Sequence, residues 1–196
     1  MNKRILSGAF LIVLLGMCSS CTNNDYTLSS PDGNLVMQLR PNEEGEWTYS
    51  FQAEGTPLIN ESELGFDLVG DDDIPGEGWK VNDVSKRKVR DVWKPIWGKR
   101  TEVDDHFNEV VLELSRKGAF PEKITLVARA YNDGVAFQYR IPEDLAGEAK
   151  VESEETSYNF AGDYTAWYYN GEYHNLGPER LTETGEERLP VMTIQA

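Results

Sequence analysis

Two stretches of this chain concentrate the side chains that a sugar site uses. The first is Asp91-Val-Trp93-Lys-Pro-Ile-Trp97-Gly98, followed by Asp105-His106-Phe-Asn108-Glu109. The second runs from Gly162 to Glu179 and holds Trp167, Tyr168, Tyr169, Glu172, His174 and Asn175. Flat aromatic faces stack on the C–H faces of pyranose rings, while Asn, His and Glu bond the hydroxyls. The same spacing has a plainer reading. Aromatics at alternate strand positions are core residues, and Trp167 and Tyr169 share one face as core residues do. Other chemistry is poorly represented. The chain has no G-x-S-x-G, H-E-x-x-H, phosphate-binding loop or dinucleotide fingerprint. Two histidines do not make a His-rich metal site. With 34 acidic residues, carboxylates fall near one another by chance, so spacing does not single out a glycosidase acid/base pair. Asp71-Asp72-Asp73, ahead of Pro75-Gly76, lacks the ligand spacing and terminal glutamate of an EF-hand and reads as a solvated turn.

The elements that must position these residues are strands. Period-two alternation recurs in Leu35, Met37 and Leu39, in Trp47, Tyr49 and Phe51, and in Leu64, Phe66 and Leu68. It returns in Val110, Leu112 and Leu114, then in Ile124, Leu126, Ala128 and Ala130, and in Val135, Phe137, Tyr139 and Ile141. Pro31-Asp32-Gly33, Glu44-Gly45 and Asn132-Asp133-Gly134 supply turn residues that tolerate positive φ, and the last predicts a hairpin. No segment carries an apolar i, i+3, i+4 repeat over three turns. Short strands without helices predict an all-β sandwich or barrel rather than a βαβ fold. Val191 to Ala196 begins a further alternating strand and stops, which predicts an incomplete polypeptide.

The N-terminus sets an expected compartment. Lys3 and Arg4 precede an apolar run from Ile5 to Met17, too short to span a bilayer but suited to the core of a secretory signal peptide. Both cysteines end that run. Ser19-Ser20 before Cys21 resemble a lipoprotein processing site, with Cys18 the less suitable candidate for lipidation. The expectation is residues 1–21 as signal, 22–30 as a polar tether and 31–196 as one β domain, lipid-anchored and periplasmic or associated with the outer membrane. The rest of the chain has no cysteine, which excludes a disulfide framework. The net charge of −15 argues against nucleic acid as a partner and against a membrane contact other than the lipid anchor. It is compatible with calcium, which takes oxygen ligands.

Five short patterns in one order resemble glycoside hydrolase family 97, exported α-glucosidases and α-galactosidases common in Bacteroidetes. They are Ser30-Pro-Asp-Gly-Asn-Leu35, the W-x-P-x-W-G of Trp93 to Gly98, the H-F-N-E of His106 to Glu109, Tyr131-Asn-Asp-Gly-Val-Ala-Phe137, and Trp167 to Glu179. The resemblance runs from about Ser29 to the last residue. It implies an N-terminal β-super-sandwich of the galactose mutarotase-like kind, in an enzyme whose catalytic carboxylates lie in a following (β/α)₈ barrel. The barrel is absent from this chain, so no catalytic residue is carried over and hydrolysis by this chain alone is not expected. The resemblance also implies one calcium ligand from this domain, Glu179, with Glu172 as the alternative, the Ca2+ shell being completed by the barrel. Read from the residues of the second aromatic stretch, Trp167, Tyr169 and His174 are the candidate contacts to an oligosaccharide. Trp93, Trp97, His106, Asn108 and Glu109 are assigned to a domain interface or a structural motif. A stand-alone carbohydrate-binding lipoprotein is the alternative, and an envelope lipoprotein without ligand a third reading.

Overall fold

The computed structural model describes residues 26–69, 78–118, 121–145, 147–172, 174–185 and 189–196. The signal peptide, Cys18, Cys21 and Asp71 to Asp73 therefore lie outside the described residues. β1 (Tyr26–Ser29), β2 (Leu35–Pro41), β3 (Trp47–Ala53) and β4 (Thr56–Leu64) form an antiparallel sheet in that order. After Gly65 comes the short β5 (Phe66–Leu68). A second four-stranded antiparallel sheet follows, made of β6 (Lys80–Trp93), β7 (Val103–Ser115), β8 (Lys123–Tyr131) and β9 (Gly134–Arg140). β10 (Val151–Glu154) returns to pair with β5. β11 (Thr165–Tyr169) then takes the centre of a three-stranded sheet between β12 (Asn175–Arg180) and β13 (Leu189–Gln195). A 3₁₀ turn, Leu181–Glu183, follows β12. The fold is all-β, and the described residues contain no α-helix and no barrel of helices.

The two four-stranded sheets face each other across one core. Leu28, Met37, Leu39, Trp47, Tyr49 and Leu64 come from one, and Val110, Leu112, Leu114, Ile124, Leu126, Ala128 and Ala130 from the other. These are the alternating positions seen in the sequence. Burying one such leucine is worth about 1.5–3 kcal/mol against about 1 kcal/mol for a neutral hydrogen bond. A one-residue slip would turn every inward side chain outward, so the apolar stripe fixes the register. Val135, Phe137 and Tyr139 of β9 are only partly buried and close one margin of the core.

Two expectations need correction. The polar tether does not extend to residue 30. β1 starts at Tyr26 and pairs Tyr26 with Leu39 and Ser29 with Val36, because Leu28 is an apolar residue with a place in the core. The Asn132-Asp133 link does join β8 to β9, with Tyr131 opposite Gly134, but no positive φ occurs there. The two-residue turn with both central φ values positive is Glu54-Gly55, at 50° and 76°, between β3 and β4. Alternation in the flanking strands imposes that hairpin on a glutamate, where turn propensity alone would ask for Asn or Asp.

Candidate functional site

The β11–β12 hairpin sorts the second aromatic stretch onto two faces. Ala166 and Tyr168 are buried, while Trp167 and Tyr169 on the opposite face are 36% and 44% exposed. The expectation that Trp167 and Tyr169 share one face holds, but it is the solvent face. The buried positions go to their neighbours because Ala166 and Tyr168 are the residues turned into the protein.

β12 carries an irregularity that places Glu179. The β11–β12 register shifts between Ala166 and Tyr168 opposite Gly177-Pro178, which are joined by a cis peptide bond. Gly177 has φ 102°, and a Cβ there would collide with the Ala166 carbonyl oxygen and lie 3.0 Å from Trp167 Cα. Only glycine fits so close an approach. Glu179 then pairs with Ala166, and its Oε2 accepts a hydrogen bond from the Tyr168 hydroxyl at 2.9 Å. The Gly185 N–H donates to the same hydroxyl at 3.3 Å. Glu179 and Tyr168 thus meet on one face of the sheet, away from Trp167 and Tyr169. Glu172 is exposed in the turn between the strands. His174, also exposed, ends that turn and donates its backbone N–H to the Gly171 carbonyl at 3.2 Å. Among the described residues no group of three or more His, Cys, Asp or Glu is arranged to hold a metal ion. Glu179 itself is a half-buried carboxylate held by one oxygen.

The first aromatic stretch forms the far end of the β6–β7 hairpin. Ile96 and Trp97 are 99% and 89% exposed, and Val92 and Trp93 about half exposed. Lys94 and Glu102 bridge the base of this loop at 3.1 Å. Below it, Trp93, Arg100, Asp105, His106, Tyr131 and Asn132 border an open hollow of about 940 Å³. Asn108 turns the other way, and its Nδ2 donates to the Ser29 carbonyl of β1 at 2.7 Å, a contact within the sandwich.

Glu109 is 3% exposed on the outer face of β7. Arg87, Glu109 and Arg129 occupy one rung of the sheet, on β6, β7 and β8. Arg129 Nε donates to Glu109 at 2.7 Å; Arg87 donates through Nη2 at 3.1 Å and also through Nε. Both guanidinium groups lie over the Phe107 ring, Arg129 at 4.3 Å and Arg87 at 5.9 Å from its centroid. The Arg87 hydrogen bond, reinforced by Arg129, holds the Glu109 carboxyl below its ordinary range in spite of burial. Every strong group of this cluster is paired inside it, so it braces the sheet. Two of the family-like patterns also meet each other. Asp32 accepts from Ser30 Oγ and the Asn34 N–H, and its own N–H donates to Asn132 Oδ1 at 3.1 Å. The hydrogen bonds from Ser30 and from the Asn34 N–H hold the Asp32 carboxyl below its usual value.

Arg87, Arg129 and Tyr168 do not stand out in the sequence. Their signal is cross-strand register: once β6, β7 and β8 are aligned, a glutamate between two arginines on one rung is plain. Tyr168 reads as one more aromatic in a Trp-Tyr-Tyr run.

Residues 28–191 match the family model described as Glycosyl-hydrolase 97 N-terminal, and the chain belongs to this family through its N-terminal domain. It is 24% identical over 203 residues to a retaining alpha-galactosidase of Bacteroides thetaiotaomicron, a match covering 93% of this chain and 29% of that protein. A probable retaining alpha-galactosidase of Streptomyces bingchenggensis is 26% identical over 172 residues, covering 84% and 26% respectively. Among solved structures, a glycoside hydrolase family 97 enzyme from Pseudoalteromonas sp. in complex with panose superposes with a TM-score of 0.63 at 26% identity, over 74% of this chain and 22% of that one. The same enzyme in complex with acarbose gives the same values. The chain spans less than a third of the length of these relatives.

Proposed function

We propose that this chain is the non-catalytic β domain of an exported, calcium-dependent exo-α-glycosidase acting on oligosaccharides, and that Glu179 is the ligand it contributes. The observation that carries the reading is the posture of Glu179. Tyr168 holds Oε2, and among the described residues no donor reaches Oε1. A carboxylate oxygen is the hard donor calcium prefers, and one oriented carboxylate fits a shell of six to eight oxygens completed from elsewhere. Calcium, when bound, orients sugar hydroxyls and stabilises charge developing at the leaving oxygen. The role of this chain is to position Glu179 and to form one wall of the site. α-Galactosides come first as substrates, since the Bacteroides and Streptomyces relatives are named for that activity, and α-glucosides second, given the panose complex of the Pseudoalteromonas enzyme. Trp93, Ile96 and Trp97 make the surface against which the remaining polypeptide packs. Cys21 anchors the protein by lipid on the exported side of a membrane.

The test is made in the complete polypeptide that carries this domain. Glu179→Gln is expected to lower calcium affinity at least about 10-fold, with hydrolysis of a p-nitrophenyl α-galactoside falling in step. Equal calcium affinity in variant and parent overturns the assignment. Trp167 and Tyr169, displayed on the face away from Glu179, favour a second reading, sugar binding without catalysis. That reading predicts quenching of tryptophan fluorescence by oligosaccharide in this chain alone.

A further inference from the structure

We infer that Tyr168 is a positioning residue for the metal-binding carboxylate of Glu179, setting which of its two oxygens is presented outward. This rests on the reading of Glu179 as a calcium ligand. The argument begins with the hydroxyl, which has one proton to give and lone pairs to receive with. The Gly185 N–H occupies a lone pair at 3.3 Å, and the proton is directed at Glu179 Oε2, 2.9 Å away. The ring that carries this hydroxyl is 3% exposed and sits in the central strand of its sheet, next to the fully buried Ala166. Neither the ring nor the hydroxyl is free to turn.

A glutamate side chain has three rotatable bonds and ordinarily samples many carboxylate orientations. Glu179 has one oxygen fixed to an immobile donor, so its other oxygen, Oε1, is held in one direction before any cation arrives. Entropy that an unrestrained glutamate loses on binding has then been lost in folding. Gly177 completes the device: its close approach to β11 brings Glu179 opposite Ala166, within reach of the neighbouring tyrosine.

Calcium titration calorimetry on the complete polypeptide tests this, with thermal melting of the calcium-free forms alongside. Tyr168→Phe keeps the ring and removes only the hydroxyl. Calcium affinity is expected to fall about 10-fold, the usual effect of deleting an outer partner of a ligand. The metal-free melting curve should move much less than in a core variant. The double variant Tyr168→Phe with Glu179→Gln should bind no more weakly than Glu179→Gln alone, because both changes act through one carboxylate. If Glu179→Gln weakens calcium and Tyr168→Phe does not, the positioning role is overturned and the ligand assignment stands. If Glu179→Gln has no effect, the ligand assignment itself falls. Should Tyr168→Phe fail to fold, Gly185→Pro removes the N–H that orients the hydroxyl from its other side. A lowered calcium affinity in that variant supports the role, and an unchanged one overturns it.

Discussion

At the scale of single residues, the most strongly determined charge in the described domain is Glu109. It is almost fully buried, yet Arg87 and Arg129 keep it ionised. Glu109 is the buried member, so replacing its charge removes the partner of both arginines at the one desolvated position of the set. Glu109→Gln should therefore lower stability by about 2 kcal/mol at neutral pH. The pH dependence has a definite sign. The folded carboxyl titrates below the unfolded value of about 4.3, so the unfolded chain takes up the proton first as pH falls. The Glu109 contribution is present above that value and is lost as pH drops through the folded one. Urea midpoints of parent and variant should differ at pH 7 and converge on acidification. A gap that stays constant down to acid pH would show that Glu109 is not the titrating group.

At the scale of elements, the decisive feature is the bulge in β12 rather than any strand as a whole. Gly177 combines a positive φ with backbone contact to Ala166 and Trp167, so a side chain there meets both conformational strain and collision. Gly177→Ala should destabilise the β11–β12 hairpin by about 1–3 kcal/mol. It should also move Glu179 out of reach of Tyr168. Hydrogen exchange of the β12 amides and of Gly185 should quicken together, and unchanged protection at Gly185 would count against a bulge that governs Glu179. β6 poses a different problem for the fold. It is a long, exposed edge strand, the kind that invites pairing with another chain. Lys86, Lys88 and Arg90 along it discourage that pairing, while Arg87 on the other face joins the Glu109 rung.

At the scale of the whole molecule, the domain displays more than it uses. Ile96 and Trp97 are almost fully exposed at a hairpin end, and Trp167 and Tyr169 stand on an open sheet face. Clustered exposed aromatics mark surfaces that meet something. In a chain that spans under a third of its relatives' length, the proposed partner of the hairpin end is the rest of the polypeptide. The proposed export and anchoring belong to this scale too. Labelling of growing cells with a fatty acid should mark the protein, and Cys21→Ala should abolish the label. An unlabelled parent protein would sink the lipid anchor while leaving the domain reading untouched.

Strand positions and inward faces were legible in the sequence because both are carried by period-two alternation, a local pattern. Leu35 to Leu39, Val110 to Leu114 and Ile124 to Ala130 become core strands on that basis. The family was legible for a related reason: its short patterns are turns and motif residues whose order survives in one dimension. Several of them prove to be stitching between distant segments, as with Asp32 to Asn132 and Asn108 to Ser29. Tertiary structure alone decided what depends on register. Glu109 acquires two arginines only when β6, β7 and β8 align. Trp167 and Tyr169 face solvent only because Ala166 and Tyr168 are turned inward, a choice alternation leaves open when both faces carry aromatics. Glu179 finds Tyr168 through a one-residue irregularity at Gly177. Side-chain chemistry is written in the residue types, but which groups meet depends on strand alignment and bulges, and these are set by the packing of the whole sheet.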